Sequence, residues 1–118
     1  MRVDVADFSR LAADLREAGP KGRLAAARAT EKSIRDIERD AKAFAPVDTG
    51  SLRGSITSET EITGSSIRGE VGPTASYGAY VEYGTSRMAP HAYLGPAFDR
   101  HAGKWHDALE QIMGGVLG

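Results

Sequence analysis

The residues that most resemble a catalytic motif are Asp48, Thr49 and Gly50, which have the order of the aspartic protease active-site triplet. In such enzymes two aspartates share one proton in a dry interface, so each must lie at the tip of an apolar strand hairpin. Here the triplet follows a long charged segment, and no second apolar strand ending in glycine is placed to support it. Because Asp and Gly are residues that tight turns prefer, we interpret the triplet as a turn. A small aspartic-type hydrolase remains a remote alternative.

The three histidines are the next candidates, because imidazole is a common metal ligand. His101 and His106 lie five residues apart in a segment predicted to be helical, so their side chains would point about 140° apart and could not share one ion. His91 lies in a predicted loop with no acidic residue at ligand spacing. A zinc site needs three or four convergent ligands, so we interpret these histidines as helix-surface and loop residues.

Motifs for phosphate binding and nucleophilic catalysis do not occur in the sequence. The glycine-containing segment 50–54 lacks the lysine of a phosphate-binding loop, and no serine has the Gly-x-Ser-x-Gly context of a nucleophile elbow. The chain has no cysteine, which excludes disulfides, thiolate zinc sites and cysteine nucleophiles. We therefore predict no catalytic, cofactor-binding or metal-binding residue, and a protein that is not an enzyme.

Length and composition favour one domain covering residues 1–118. A chain of 118 residues that is 41% hydrophobic can bury only a modest core, and oligomerisation is one way to stabilise it. The net charge of −1 argues against a general nucleic-acid binder. The sequence has no N-terminal signal core, and no apolar run approaches the ~20 residues of a membrane span. We expect a soluble protein, made in a cytoplasm, with neither membrane nor specific nucleic-acid partners.

Apolar spacing in the first part of the chain predicts two helices. Residues 5–18 are predicted as a short helix that Gly19-Pro20 would end, so residues 1–20 would form a helix and a turn. A long helix is predicted from residue 22 to residue 45, where Pro46 ends it. Its apolar stripe, spaced three and four apart, consists of Leu24, Ala27, Ile34, Ile37, Ala41 and Phe44.

The middle of the chain has the pattern of a β-hairpin. Residues 55–62 are rich in β-branched side chains, residues 63–66 have turn composition, and residues 67–72 alternate apolar or small with charged side chains. This pattern predicts antiparallel strands with one face exposed to water. Tyrosines then recur every third residue from Tyr77 to Tyr83, a spacing that fits either a helical turn or a strand.

The end of the chain is predicted to contain a loop and a helix. Residues 84–92 have no period and are predicted as a flexible loop. A last helix would open at Gly95-Pro96 and end at Gly114-Gly115. The expected fold class is therefore α+β, with a short N-terminal helix, one long helix packed on a small, mainly antiparallel sheet, and a C-terminal helix.

Charges divide unevenly along the chain. Residues 21–45 carry seven basic and four acidic side chains, whereas residues 55–84 carry four acidic side chains and one basic side chain. The two segments are either separate solvated faces or complementary faces that meet between neighbouring subunits. The sequence leaves both interpretations open.

Three segments, taken in order, resemble a known family. Residues 45–56 read APVDTGSLRGSI, residues 77–85 read YGAYVEYGT, and residues 90–98 read PHAYLGPAF. They are similar to the gene-product-ten-like family of phage tail components, whose pattern is A-P-x-D-T-G-x-L-x-x-S-I, then Y-x-x-Y-V-E-x-G-T, then P-x-x-F/Y-L-x-P-A. The resemblance runs from about residue 24 to residue 113, with Tyr93 where phenylalanine is usual and Gly95 where arginine is common.

This resemblance implies a structural virion protein of a long-tailed bacteriophage, related to the minor tail protein Z of lambda. It would be a tail-completion or head–tail joining subunit, without catalysis or cofactors, assembled in the bacterial host cytoplasm and located in the neck or tail of the virion. It would form a homo-oligomeric ring, expected to be a hexamer, between the head-completion or connector protein and the tail terminator or tail-tube protein. A tail terminator or another tail-assembly factor is the alternative.

The matching positions are the candidate interface residues, and physical reasoning gives some of them a role. Residues 46–50 would form a rigid corner between helix and hairpin. Tyr80, Val81 and Glu82 would lie where the sheet meets a neighbour, and the loop 84–92 would become ordered on docking. The full set is Pro46, Asp48, Thr49, Gly50, Leu52, Tyr80, Val81, Glu82, Gly84, Thr85, Pro90, Leu94 and Pro96.

Overall fold

A computed structural model describes residues 9–46, 51–75, 77–87 and 89–117. Seven elements occur along this part of the chain, and the side chains they bury form one hydrophobic core. In chain order they are β1 (Ser9–Asp14), α1 (Pro20–Phe44), α2 (Ser51–Ser55), β2 (Ile56–Ile62), β3 (Ser66–Pro73), α3 (Gly78–Tyr83) and α4 (Leu94–Leu117). The α+β class is confirmed, with the long helix packed on an antiparallel sheet and a C-terminal helix beside it.

The N-terminal segment is a strand, so the prediction of a helix over residues 5–18 is wrong for its described part. Strand β1 pairs antiparallel with β3. Leu11 and Leu15 are both buried, and their spacing of four places them on one side of either a helix or a strand. Ala12, which a helix would place on the same side as Leu11 and Leu15, is exposed. This segment forms a strand because the N–H and C=O groups along one edge of β3 are available to pair with it, and the spacing of apolar residues within the segment does not reveal such a partner.

The three strands form an antiparallel sheet in the order β1-β3-β2, which confirms the predicted hairpin. Helix α1 covers one face of this sheet. On that face β3 presents Ile67, Gly69 and Val71, all buried, whereas the opposite face carries charged side chains that include Glu59 and Arg68. Among the described residues, helices therefore cover one side of the sheet only, as its alternating pattern predicts.

Helix α1 begins at Pro20, where proline is acceptable because the first-turn N–H has no helical partner. It ends at Phe44, before Ala45 in the extended conformation and Pro46. The predicted stripe needs one correction, since Leu24 is 54% exposed. The buried face is rotated toward small side chains that fit between the sheet and α4, and it consists of Gly22, Ala26, Ala27, Thr30, Ile34, Ile37, Asp40 and Ala41.

The closest approach of α1 to the sheet is at Gly69. A Cβ atom built on this glycine would meet the side chain of Ile34, at 2.7 Å from its Cδ1 atom. Ile34 is itself buried, so it has little room to move. Residue 69 must therefore lack a side chain for the helix to lie at this distance.

Helix α4 packs along the side of α1 next to its sheet-facing side, and two buried polar pairs connect the two helices. His101 Nε2–H donates to Asp40 Oδ2 at 2.6 Å, and Trp105 Nε1–H donates to Thr30 Oγ1 at 2.8 Å. Asp40 also has guanidinium groups nearby, Arg39 Nε at 3.3 Å and Arg100 Nη1 at 3.4 Å. The expectation that His101 is a surface residue is wrong, because it is buried against α1.

Helix α4 starts at Leu94 and continues through Gly114 and Gly115 to Leu117, so the predicted end at this glycine pair is also wrong. Among the described residues only Gly84 has a positive φ. Glycine ends a helix efficiently when it adopts the left-handed conformation, which these two glycines do not adopt. No helix among the described residues is long and apolar enough to cross a membrane.

We predict that Gly69→Ala lowers the free energy of unfolding by about 1–3 kcal/mol, because the added methyl group must displace Ile34 inside a packed core. Thermal unfolding followed by circular dichroism measures the effect. Gly103→Ala is the matched control, since a Cβ at this position of α4 has no heavy atom within 4 Å. The control should be neutral or stabilise the helix by up to ~1 kcal/mol. Equal melting temperatures for the two variants would contradict the close packing.

A second prediction concerns acid. The hydrogen bond from His101 holds the pKa of Asp40 below its ordinary value of 3.8, against the opposing effect of burial and with help from Arg39 and Arg100. The folded state thus binds this proton less readily than the unfolded state. The stabilisation is complete above the unfolded-state pKa and is lost as the pH falls through the folded-state pKa.

We therefore expect the free energy of unfolding to decrease as the pH falls below about 3.8, and to decrease less in Asp40→Asn. At neutral pH this variant should be less stable by about 1–3 kcal/mol, because it loses the charge-assisted hydrogen bond. Urea denaturation at a series of pH values measures both effects. Asp107→Asn, an exposed control on α4, should change stability by less than ~0.5 kcal/mol. Parallel pH curves for wild type and Asp40→Asn would be the contrary result.

Candidate assembly surface

Two of the family-like segments meet at a joint formed by one carboxylate. Glu82 lies in α3, is 7% exposed, and accepts three backbone hydrogen bonds from the start of α4. Its Oε1 atom accepts the N–H groups of Tyr93 at 2.9 Å and Leu94 at 2.8 Å, and its Oε2 atom accepts that of Gly95 at 2.9 Å. A side chain eleven residues or more upstream therefore caps this helix.

The cap leaves no N–H group of the first turn without a partner, because the residue after Gly95 is the proline Pro96. The first N–H groups of a helix have no partner inside it and bear the positive end of the helix dipole. At the start of α4 the donors of residues 93–95 bind Glu82, and Pro96 has no N–H to satisfy. A single buried carboxylate thus satisfies every donor of this first turn and places its negative charge at the positive helix end.

Close contacts fix the two sides of the joint. Tyr93 is buried, and its hydroxyl donates to the carbonyl of Gly78 at 3.1 Å. A Cβ on Gly78 would lie 2.9 Å from the Tyr93 hydroxyl and 2.7 Å from Cβ of Pro73. A Cβ on Gly95 would lie 3.0 Å from Glu82 Oε2. Glycine at 78 and 95 therefore allows α3 to lie directly against the start of α4.

The described residues between the helices, 84–87 and 89–93, contain no helix, and backbone hydrogen bonds fasten both ends of this segment. Gly84 turns the chain with φ 80°, and its N–H donates to the carbonyl of Tyr80 at 2.7 Å. The N–H of His91 donates to the carbonyl of Val81 at 2.8 Å. The ring Nε2–H of His91 donates to the last carbonyl of α1, that of Phe44, at 3.2 Å. Flexibility of residues 84–92 stays a prediction.

Tyr77, which directly precedes α3, and Tyr80 and Tyr83 within α3 have exposed side chains, and we call these three side chains the aromatic surface. Tyr77 is 37% exposed, Tyr80 59% and Tyr83 61%. The segment that fitted either a helix or a strand is a helix from Gly78 to Tyr83. A three-residue spacing on a helix keeps the side chains within one arc of its surface. Three rings therefore lie on one side of a helix whose other side is fixed to the core.

The remaining motif positions divide between core and surface. Leu52 and Leu94 are buried, and Val81 packs partly buried against the core. Pro90 and Pro96 are exposed, and the exposed Thr85 accepts the N–H of Arg87 at 3.2 Å. Pro46, two residues after the end of α1, is half-buried. Asp48, Thr49 and Gly50 lie outside the described residues, so their role as a corner stays a prediction.

Glu82 lies inside the subunit instead of at the expected contact with a neighbour. The pattern that could have indicated this is the helix start at residues 94–96, which has no Ser, Thr, Asp or Asn to cap it locally. The pairing of Asp40 with His101 was also missed, because the two residues are 61 positions apart. Among the described residues no group of three or more His, Cys, Asp or Glu could hold a metal ion.

The acidic excess of residues 55–84 is mostly used within the subunit. Glu61 pairs with Arg68 at 2.7 Å, Glu70 pairs with Arg10 at 2.7 Å, and Glu82 caps α4. Glu59 has no cationic partner in the part of the chain that the structure describes. An acidic face meeting the basic helix of a neighbour would thus have far less free charge than the sequence suggests.

These features define a small α+β protein that holds exposed aromatic side chains on a firmly fixed helix, which suits assembly with other proteins. A family model described as "Bacteriophage HK97-gp10, putative tail-component" matches residues 9–84, more than half of the sequence. The chain belongs to this family, which confirms the resemblance and makes it a phage tail component, associated with other virion proteins. The third motif, residues 90–98, lies beyond the matched residues. No curated protein and no solved structure matches the chain significantly.

We predict that Glu82→Ala lowers the free energy of unfolding by about 2–4 kcal/mol, because three buried N–H groups lose a charged acceptor. Glu82→Gln should cost less, since its amide oxygen can still accept from Tyr93 and Leu94. Hydrogen exchange at residues 93–95 should accelerate in the alanine variant, and urea denaturation measures the stability. Glu110→Ala, an exposed control on α4, should change neither quantity. Unchanged exchange in Glu82→Ala would contradict the capping role.

Proposed function

We propose that the chain is a tail-completion or head–tail joining subunit, which forms a ring between the head connector and the tail tube of a long-tailed phage. The observation that carries this proposal is membership of a phage tail-component family over residues 9–84. In this role the protein acts by assembly and not by catalysis. Its partners are further copies of itself, a head-completion or connector protein, and a tail terminator or tail-tube protein.

The geometry supports a role in assembly. The aromatic surface exposes three large amphipathic side chains, a residue type enriched among the residues that dominate binding energy at interfaces. Glu82 and Tyr93 fix the helix beneath it, so little conformational entropy is lost when a partner binds. We propose that this surface contacts a neighbouring virion protein along the tail axis.

A phage that lacks this gene tests the proposal. We expect it to accumulate full heads and separate tails, because nothing completes the joint between them, and electron microscopy of lysates counts both. Joined, infectious particles without the protein would refute the proposal. Separate heads with overlong tails would instead indicate a tail terminator, so the tail lengths in the same micrographs distinguish the two roles.

Point variants test the surface itself. Tyr80→Ser combined with Tyr83→Ser should reduce head–tail joining by at least about tenfold, because aromatic anchors at interfaces commonly contribute more than 1.4 kcal/mol. The matched control is Leu24→Ser, which removes an exposed apolar side chain from α1. This control should join heads and tails at wild-type yield. Circular dichroism confirms that both variants fold before the yields are compared.

A further inference from the structure

The sheet ends in two open strands, and their features are complementary. Strands β1 and β2 both pair with β3, and no other strand among the described residues pairs with their outer edges. Both run antiparallel to β3, so they run parallel to each other. We propose that β1 of one subunit pairs with β2 of the next, which continues one sheet through the ring. This inference rests on the proposed ring.

The hydrogen-bond pattern leaves matching groups at the two edges. The N–H of Leu15 donates to the carbonyl of Ser65. Hydrogen bonds in an antiparallel pair recur at every second residue, so the odd-numbered residues of β1 bond to β3. The N–H and C=O groups of Arg10, Ala12 and Asp14 therefore point toward the open edge. On β2 the bond from Thr63 to Ser66 likewise leaves the peptide groups of the even-numbered residues 58–62 pointing outward. In a parallel pair these groups bond when Ala12 lies opposite an odd-numbered residue of β2, which keeps the same sheet face outward.

Charge gives the contact its direction. Arg10, Glu70 and Glu59 lie in one row across the outer face of the sheet. Arg10 pairs with Glu70, which leaves Glu59 directly opposite a like charge and without a cation among the described residues. Arg10 is 51% exposed and has donors to spare. When β2 of the next subunit lies beside β1 with Ala12 opposite Glu61, that subunit's Glu59 lies opposite Arg10.

Apolar groups on the other face agree with the same arrangement. A groove of about 230 Å³ lies beside β1, and the apolar side chains that line it on this face are Ala13, Trp105, Leu109 and Met113. Ile62, at the end of β2, is 48% exposed. It occupies the same row as Ala13 through their shared partner Ile67. A neighbouring β2 in this row therefore directs Ile62 toward the groove.

The contact joins two different surfaces, so each subunit uses β1 on one side and β2 on the other. Such a head-to-tail contact closes into a ring when the rotation per subunit divides a full turn. An antiparallel β1–β1 contact between two subunits would instead give a closed dimer. In that dimer Arg10 would face β1 of the other subunit, and Glu59 on β2 would remain without a cationic partner. Charge thus favours the head-to-tail arrangement.

Cysteine pairing tests the contact, because the natural chain has no cysteine. Ala12→Cys protein is mixed with Glu61→Cys, Glu59→Cys or Thr57→Cys protein, which covers three registers, and is oxidised after assembly on purified tails. Adjacent strands lie within disulfide reach. We expect the mixture with Glu61→Cys, the register that places Arg10 opposite Glu59, to give a disulfide-linked dimer of doubled mass on a non-reducing gel. A cross-link only with Glu59→Cys or Thr57→Cys would contradict the charge argument. Ala12→Cys mixed with Ala43→Cys, an exposed position on α1, is the negative control.

Charge reversal provides an independent readout. Arg10→Glu and Glu59→Arg should each weaken self-assembly by about tenfold, because like charges then face each other at every contact. Mixing the two variants restores opposite charges at each contact of an alternating ring, so the mixture should assemble near the wild-type level. Two variants that merely fold poorly would not rescue one another.

Three results would overturn the inference. If rings form on tails but no mixture gives a cross-link, the strand contact is refuted, whereas the proposed function is not. Dimers of Ala12→Cys with itself would replace the head-to-tail contact by a β1–β1 contact. If the protein is absent from tails and from particles, the proposed function fails, and the contact between ring subunits fails with it.

Discussion

The close packing of α1 against the sheet is the contact on which the rest of the fold depends. Because residue 69 has no side chain, Ile34 can lie directly on β3, and the neighbouring side of α1 packs against α4. Small buried residues along α1 let one helix serve both layers. A helix held further from the sheet would leave Leu11 of β1 and Trp105 of α4 without a common core. Each layer is therefore stabilised by α1.

The joint at Glu82 depends on this arrangement and gives the surface its shape. Helix α4 can begin where it does because a carboxylate from α3 satisfies its first donors. In turn α3, only six residues long, is fixed to a helix of 24 residues. A helix so short would be unstable alone, because the conformational entropy lost in forming the first turn exceeds the stabilisation from its few hydrogen bonds. The tyrosines are thus presented by an element whose order comes from α4.

Counting charges along the sequence overstated the contrast between the two halves of the molecule. Folding pairs Glu61 and Glu70 with arginines of the same sheet and buries Glu82. On the sheet this leaves one carboxylate at one edge, Glu59, without a cation among the described residues, and one partly exposed guanidinium at the other edge, Arg10. Exposed ion pairs contribute little to folding stability, so such groups can determine which subunit edge binds which at little cost to the fold.

The sequence by itself determined the long helix, the hairpin, the C-terminal helix and the family, because these follow from local periodicity, turn residues and short motifs. It did not determine β1, since Leu11 and Leu15 fit one side of a helix or of a strand equally well. Nor did it place Glu82, whose partners lie eleven to thirteen residues away, or pair Asp40 with His101 across 61 residues. Those features were decided by the tertiary structure, because a free sheet edge, an uncapped helix start and a buried charge each take their partner from another element of the fold.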